Sequence, residues 1–484
     1  MNRPIRLVAV FALLLTLILM INLTIIQGFR QDEYANNALN QRGFLEMKSI
    51  PRGQISAGGV VLASSTADEE GFYNRSYPSD NPTAFAPVVG YLSDQFGAAG
   101  LESSYNSILN GTDDSLFGTR WMDTITGQES TGANLELTLD PTVQKVAQQQ
   151  LSDNGYEGAV VALQPSTGEV LAMASSPSFD PNSIVDPTTA NDAWAEINSD
   201  PGNPLTNHAS QETLPPGSIF KIITTAAGLE NGYSSSSQLT GASSITLPNT
   251  NTTLTNYGNQ QCAGSTEVSL ETAFANSCNT AFVQMGIDVG ADSLSSAADA
   301  FGVGETYDLG VPMSAGSLGD IPDDAALGQT SIGQRDVTMS ALQAAVMAGT
   351  VANDGLRMEP YLVDRITGSN LDELRSTDPN EVTQAISSDI AEELTQLMLA
   401  SESNTTGGSG TGYASKTGTA EHGDESSAPH TWYVAFAPSE DADVAVAVVV
   451  KNGGGYGTSA TGGQVASPIG RAVIQAALAA QEGS

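Results

Sequence analysis

Gly158-Ala159-Val160-Val161-Ala162-Leu163, Pro165-Ser166-Thr167-Gly168 and Glu169-Val170-Leu171-Ala172-Met173-Ala174 follow one another as two apolar runs around a Pro/Gly turn. Runs without polar alternation predict strands covered on both faces, here paired as a hairpin. Toward the other end of the chain, residues 432–437 and 444–450 are further strand candidates. Residues 468–480 read as a last helix with Ser467 as its cap. Helical patterns lie between them, at 219–229, 270–275, 280–286 and 338–352. Strands at both ends with helices inserted predict an α+β domain whose sheet is closed by C-terminal strands.

Upstream of the hairpin, residues 31–154 mix short strand-like runs with turns and hold no nucleophile constellation. Residues 52–55 and 58–63 read as two short strands around Gly58-Gly59, and residues 141–151 as a helix with Asp140 as cap and Pro141 at its first position. Residues 7–26 are apolar except for Thr16, Asn22 and Thr24, long enough to cross a hydrocarbon core of about 30 Å. The run lacks the small-residue cleavage site of a signal peptide, which predicts a retained anchor. Arg3 and Arg6 precede it and place the N-terminus in the cytoplasm, with the body of the chain exported. The expected organisation is an anchor over 1–30, a pedestal or interaction domain over 31–154 and a catalytic domain over 155–484.

The chain has 484 residues, 54 Asp+Glu against 17 Lys+Arg and a formal charge of −37. Arg3, Arg6 and Arg30 sit in the anchor with no acid, so removing them leaves −40 on everything after it. That balance excludes a nucleic-acid binder working through a basic surface. An apolar fraction of 40% and a charged fraction of 15% exclude a disordered chain. Lysine occurs only at Lys48, Lys145, Lys221, Lys416 and Lys451, so each one carries weight. Polar tracts at 234–261, 401–412 and 452–463 read as surface loops, the second ending just before Lys416 at the border of the expected cleft.

Pro215-Pro216-Gly217-Ser218-Ile219-Phe220-Lys221 puts a serine in the first turn of an apolar helix and a lysine three residues on. That spacing shares a helix face, and an adjacent base is what a serine hydroxyl needs to become a nucleophile. Lys416-Thr417-Gly418-Thr419 fits an edge strand where glycine admits a substrate backbone and lysine faces a carboxylate. A Ser-x-Asn element is needed between them. Ser79-Asp80-Asn81, Ser152-Asp153-Asn154 and Ser104-Tyr105-Asn106 all precede Ser218, and the first two run into turn residues. Ser277-Cys278-Asn279 lies instead between two apolar helical segments, and that context selects it.

Taken in order, these three elements resemble the penicilloyl-serine transferase superfamily. The exported chain is similar to class B penicillin-binding proteins, the actinobacterial penicillin-binding protein A type above all. The likeness extends to residues 52–63, Gly100-Leu101-Glu102, Asn207-His208-Ala209, Ala352-Asn353-Asp354-Gly355, residues 416–421 and His430-Thr431-Trp432. His208 stands where the family pattern has arginine, and Cys278 fills a variable slot.

The resemblance implies a central antiparallel sheet flanked by helices, with a helical subdomain and a smaller mixed α/β domain before it. It also implies a peptidoglycan D,D-transpeptidase that needs no cofactor and is acylated by β-lactams. Ser218 would attack the penultimate D-Ala carbonyl of a stem peptide, Lys221 would take its proton and Ser277 would relay protons to the leaving amine. Asn279 would hold the donor amide, while Lys416, Thr417 and Thr419 would hold the terminal carboxylate beside Gly418. The backbone N–H groups of Ser218 and Thr419 would form the oxyanion hole. Cell-wall synthesis or division proteins are the implied partners.

A membrane-anchored β-lactam sensor or a β-lactamase is the rival within the superfamily, and a catalytically idle scaffold is the rival outside it. A hydrolase has no need of the pedestal, and a scaffold has none of the intact motifs. Cys262 and Cys278 lack the paired spacing of a zinc site. An oxidising compartment favours a disulfide between them, worth on the order of 3 kcal/mol, with two buried thiols as the alternative. His208, His422 and His430 do not have the spacing of metal ligands.

Overall fold

The computed structural model describes residues 2–29, 48–116, 131–423 and 426–482. Arg30 and the parts of the expected pedestal at 31–47 and 117–130 lie outside the described residues. The helix Asn2–Phe29 carries the apolar run, and within it Arg3–Ile25 is long and apolar enough to span a membrane, with none of it buried against the rest of the chain.

The opening hairpin, Gly158–Leu163 and Val170–Ser176, sits at one side of a five-stranded antiparallel sheet. The sheet order runs Ala414–Ala420, His430–Ala437, Val444–Val450, Gly158–Leu163, Val170–Ser176. Every residue of the strands His430–Ala437 and Val444–Val450 is buried. The cause is cover on both faces, which is why these strands read as unbroken apolar runs. Val161, Val434, Phe436 and Val449 face a core shared with the helix Ala341–Ala352. Their alternates Val160, Tyr433, Val446 and Val448 face a second core with the helices Pro141–Ser152 and Gly462–Glu482. The strand bearing Lys416 is an outer strand of this sheet, so one of its edges is unpaired.

A second, mixed sheet holds the strands Ile55–Ala57, Val60–Ala67, Tyr73–Ser76 and Asn134–Leu137. Two strands from far downstream, Val363–Thr367 and Glu373–Ser376, complete it. The helix Pro141–Ser152, capped by Asp140, packs instead on the catalytic sheet, where the buried Gln144 amide bonds Met173 and Ala84. The expected boundary at 154/155 is therefore not a packing boundary, because the chain enters each layer from both sides of it.

The last helix also differs from expectation. It starts at Gly462, not after Ser467, and Pro468 stands inside it. Ser467 does not cap: its hydroxyl donates to the Gly463 carbonyl four residues back, at 2.8 Å.

Candidate active site

Close backbone approach builds the nucleophile turn. Gly217 has φ +54°, and its N–H donates to the Gly333 carbonyl at 2.9 Å. A Cβ on Gly217 would lie 2.8 Å from the Thr419 carbonyl, and one on Gly333 would lie 2.2 Å from the Gly217 carbonyl. Only glycine permits that packing at either position. The buried Trp432 indole donates to the Pro215 carbonyl at 2.9 Å and fixes the same turn from the sheet. Residues Gly217–Phe220 form a 3₁₀ turn that runs into the α-helix Lys221–Glu230. A spacing of three puts Ser218 and Lys221 on one face of the turn, and the Lys221 amine there bonds Ser277 and Asn279 and not the Ser218 hydroxyl.

Lys221 is fully buried. Its Nζ lies 2.8 Å from the Ser277 carbonyl, 2.8 Å from Asn279 Oδ1 and 3.2 Å from Ser277 Oγ. Lys416 Nζ approaches the same Ser277 Oγ at 2.9 Å and the Thr417 carbonyl at 3.0 Å. One hydroxyl thus sits between two amines. Burial, and then the charge of Lys416, hold Lys221 well below the ordinary lysine range. Burial alone brings Lys416 down to about 7. A neutral Lys221 satisfies its two acceptor-only oxygens with two N–H groups and keeps a lone pair for a hydroxyl proton.

Ser277 joins the helices Leu270–Ala275 and Asn279–Val289 with φ +55°, a left-handed conformation rare for serine. Phe274 and Phe282, on those two helices, lie under Lys416 and Lys221 at 5.7 and 5.2 Å. Cys278, between Ser277 and Asn279, is bonded to Cys262, which ties this turn to the loop before it.

The cleft in front of these groups has a volume of about 850 Å³ and is lined by Ser218, Ser277, Asn279, Thr417 and Thr419. Gly418 faces the nucleophile turn, since a Cβ there would meet the Pro216 carbonyl at 2.8 Å. All eight expected site residues therefore belong to one cleft and its immediate wall. Ser79, Ser104 and Ser152 do not line it.

The sequence reading missed several lining residues. Residues 253–259, read as part of a surface loop, form one wall, and Asn279 Nδ2 donates to the Thr255 carbonyl at 2.9 Å. Arg335 (φ +67°), Gln329 and Thr461 line it as well. Only the Gly333-Gln334 pair next to Arg335 hinted at a special backbone there. Residues 401–412, expected at the border of the cleft, do not line it, and the first four of them are helical.

His208, the departure from the family pattern, sits 2.8 Å from Glu212 Oε2 through Nδ1 and 2.9 Å from the Gly202 carbonyl through Nε2. Each ring nitrogen thus faces an acceptor at the position where arginine was expected. Glu212 is held at about 2: burial would raise it, but the bonds from His208 and Lys451 outweigh that. His430 stacks on His422 with ring centroids 3.9 Å apart.

A serine in a 3₁₀ turn, a buried lysine three residues on, a bridging Ser-x-Asn turn and a Lys-Thr-Gly edge strand define a penicillin-binding transpeptidase. Residues 158–475 match the family description "Penicillin binding protein transpeptidase domain", and residues 52–135 match "Penicillin binding protein A dimerisation domain". Peptidoglycan D,D-transpeptidase PbpA of Mycolicibacterium smegmatis is 46% identical over 100% of both chains. Its Mycobacterium tuberculosis counterpart is 45% identical over 99% of both. The penicillin G acyl-enzyme structure of M. tuberculosis penicillin-binding protein A matches with a TM-score of 0.85 and 46% identity, over 89% of this chain and 100% of that one. The chain belongs to the PbpA-type penicillin-binding proteins.

Proposed function

We propose that the residues of this cleft divide the work of a peptidoglycan D,D-transpeptidase acylated by β-lactams as follows. Ser218 is the nucleophile that attacks the penultimate D-Ala carbonyl, expels terminal D-Ala and forms the acyl-enzyme. Neutral Lys221 takes the Ser218 proton, and Ser277, between the two amines, passes a proton to the leaving amine. The N–H groups of Ser218 and Thr419 stabilise the oxyanion. Asn279 orients Lys221 and the donor amide. Lys416, Thr417 and Thr419 hold the terminal carboxylate, while Gly418 admits the donor backbone. An amine of a second stem peptide then attacks the ester and regenerates Ser218.

The observation that carries this reading is the pair of buried amines meeting at Ser277 Oγ. The helix Asn2–Phe29 anchors the chain, with the N-terminus cytoplasmic and the catalytic body outside. The domain before the catalytic sheet docks cell-wall synthesis or division proteins. Fluorescent penicillin should label the wild-type chain covalently and release slowly, and Ser218→Ala should not label at all. Labelling of the variant at the wild-type level would remove Ser218 as nucleophile.

A further inference from the structure

Behind the Lys416 strand lies a buried acid that the proposed mechanism does not use. Glu402, at the end of the helix Ser388–Asn404, is 1% exposed. Its carboxylate accepts a short hydrogen bond from Ser415 Oγ, one from Tyr433 OH at 3.1 Å, one from Thr411 Oγ1 at 3.2 Å and one from Arg471 Nε at 2.8 Å. Burial, then the Glu402 charge, push the Tyr433 phenol far above its ordinary range, so it stays a donor. The Arg471 Nη1 also holds the Thr406 carbonyl, at 2.8 Å, so the guanidinium binds both the acid and the loop after it.

We infer that Glu402 is a positioning residue for acyl transfer, fixing the strand Ala414–Ala420 so that Lys416, Thr417 and Thr419 meet a ligand carboxylate. The inference rests on the reading of those three residues as the carboxylate clamp. Ser415 precedes Lys416 and points to the opposite face of the strand. An outer strand is laddered on one side only, so its twist and height are weakly set by the sheet. Glu402 grips it together with its neighbour: Ser415 pairs with Ala435 and Thr417 with Tyr433, so the carboxylate spans a diagonal of the two-strand ladder. A diagonal brace resists sliding and twisting alike. Apolar packing would hold the helix end as firmly, and a buried ion pair is a poor source of stability by comparison. What the carboxylate adds is direction.

The test compares acylation by benzylpenicillin with acylation by its methyl ester, which lacks the free carboxylate, in Glu402→Gln, Ser415→Ala and Lys416→Ala. Both network variants should lose about ten- to a hundredfold toward the acid, the range a misplacement of about 1 Å produces. Toward the ester they should change less than about twofold. Ser415→Ala removes a single bond and keeps the test open if Glu402→Gln does not fold. Equal losses toward both ligands, or none toward either, overturn the inference while Lys416→Ala still separates acid from ester. If Lys416→Ala fails to separate them, the clamp reading falls and the inference falls with it.

Discussion

The N-terminal sheet domain and the cleft both bury cations, and they do it in opposite ways. In the N-terminal sheet domain, Arg52 and Arg75 clamp the fully buried Glu102, with Nε–Oε distances of 2.8 and 2.5 Å. Arg52 also donates to the Glu102 carbonyl and Asn106 Oδ1, and Arg75 Nη1 to the Gly53 carbonyl, while Arg75 Nη2 is buried without a partner. Burial would raise the Glu102 pKa, but the two guanidinium charges outweigh it and hold the carboxyl below its ordinary value. In the cleft, Lys221 and Lys416 are as deeply buried but meet only carbonyl, amide and hydroxyl oxygens. Without a carboxylate beside them, burial wins and their proton affinity drops. The residue types match the two tasks: arginine stays charged in any protein environment, whereas lysine can surrender its proton. Charge that holds shape has a carboxylate in contact here, and charge that does chemistry has none.

The sharpest way to break that contrast is to make the cleft cation permanent. Lys221→Arg supplies a cation that cannot act as a base, so acylation by benzylpenicillin should fall about 10³-fold, within the range of general-base contributions. Lys221→Met should fall as far. Stopped-flow acylation rates check this, and an arginine variant within tenfold of wild type would show that Lys221 does not need to be neutral.

The reverse experiment unpairs the structural charge. Glu102→Gln leaves Arg52 and Arg75 without a counter-charge and should destabilise the chain by about 3–5 kcal/mol in urea unfolding. The acylation rate of the folded fraction should stay at the wild-type level. A loss under 1 kcal/mol would mean that the N-terminal domain does not depend on its paired charges, and the contrast would fail from that side.

A smaller effect is expected in the pH profile. The second-order acylation rate with benzylpenicillin should rise with pH as Lys221 loses its proton, and fall above about 7 as Lys416 loses the charge that meets the carboxylate. The two amines share Ser277, so the limbs belong to the pair. With the methyl ester the alkaline limb should vanish. A limb that persists with the ester assigns it to a group other than Lys416.

Much of this cleft could be read in the sequence because its chemistry is local. Ser218 and Lys221 are three residues apart, so spacing put them on one face; Ser277 and Asn279 were selected by their place between two helical segments, and Lys416 to Thr419 form one run that the family resemblance joined to them. The hairpin at 158–174 was legible for the same reason, its strands being covered on both sides. What depends on distant pairing left no such trace. Glu402 lies in a Ser/Thr/Gly/Asn tract that reads as exposed loop, and nothing near it announces Arg471. The strands Val363–Thr367 and Glu373–Ser376 join a sheet begun some three hundred residues earlier, where no periodicity can point. Residues 253–259 are held at the cleft by residues far along the chain, Asn279 Nδ2 donating to the Thr255 carbonyl and the Thr280 N–H to Asn256 Oδ1.

The smallest effect separates stability from function within a single residue. Lys416 releases its proton at about 7 in the folded chain, against 10.5 ordinarily. Between those values the unfolded chain holds a proton that the folded chain does not, so stability rises with pH across that window. Below about 7 both states are protonated, and the folded state bears the full cost of burying the charge. Lys416→Met removes that cost while keeping most of the side-chain volume. It should be more stable than wild type by about 1 kcal/mol near pH 6, in keeping with the trade-off between stability and a strained site. The advantage should vanish within about one unit above pH 7 and reverse beyond it, at about 1.4 kcal/mol per pH unit, and penicillin acylation should be impaired throughout. An advantage that does not vary with pH would trace the gain to packing, and Lys416 would then resemble the paired arginines of the N-terminal domain more than its neighbour Lys221.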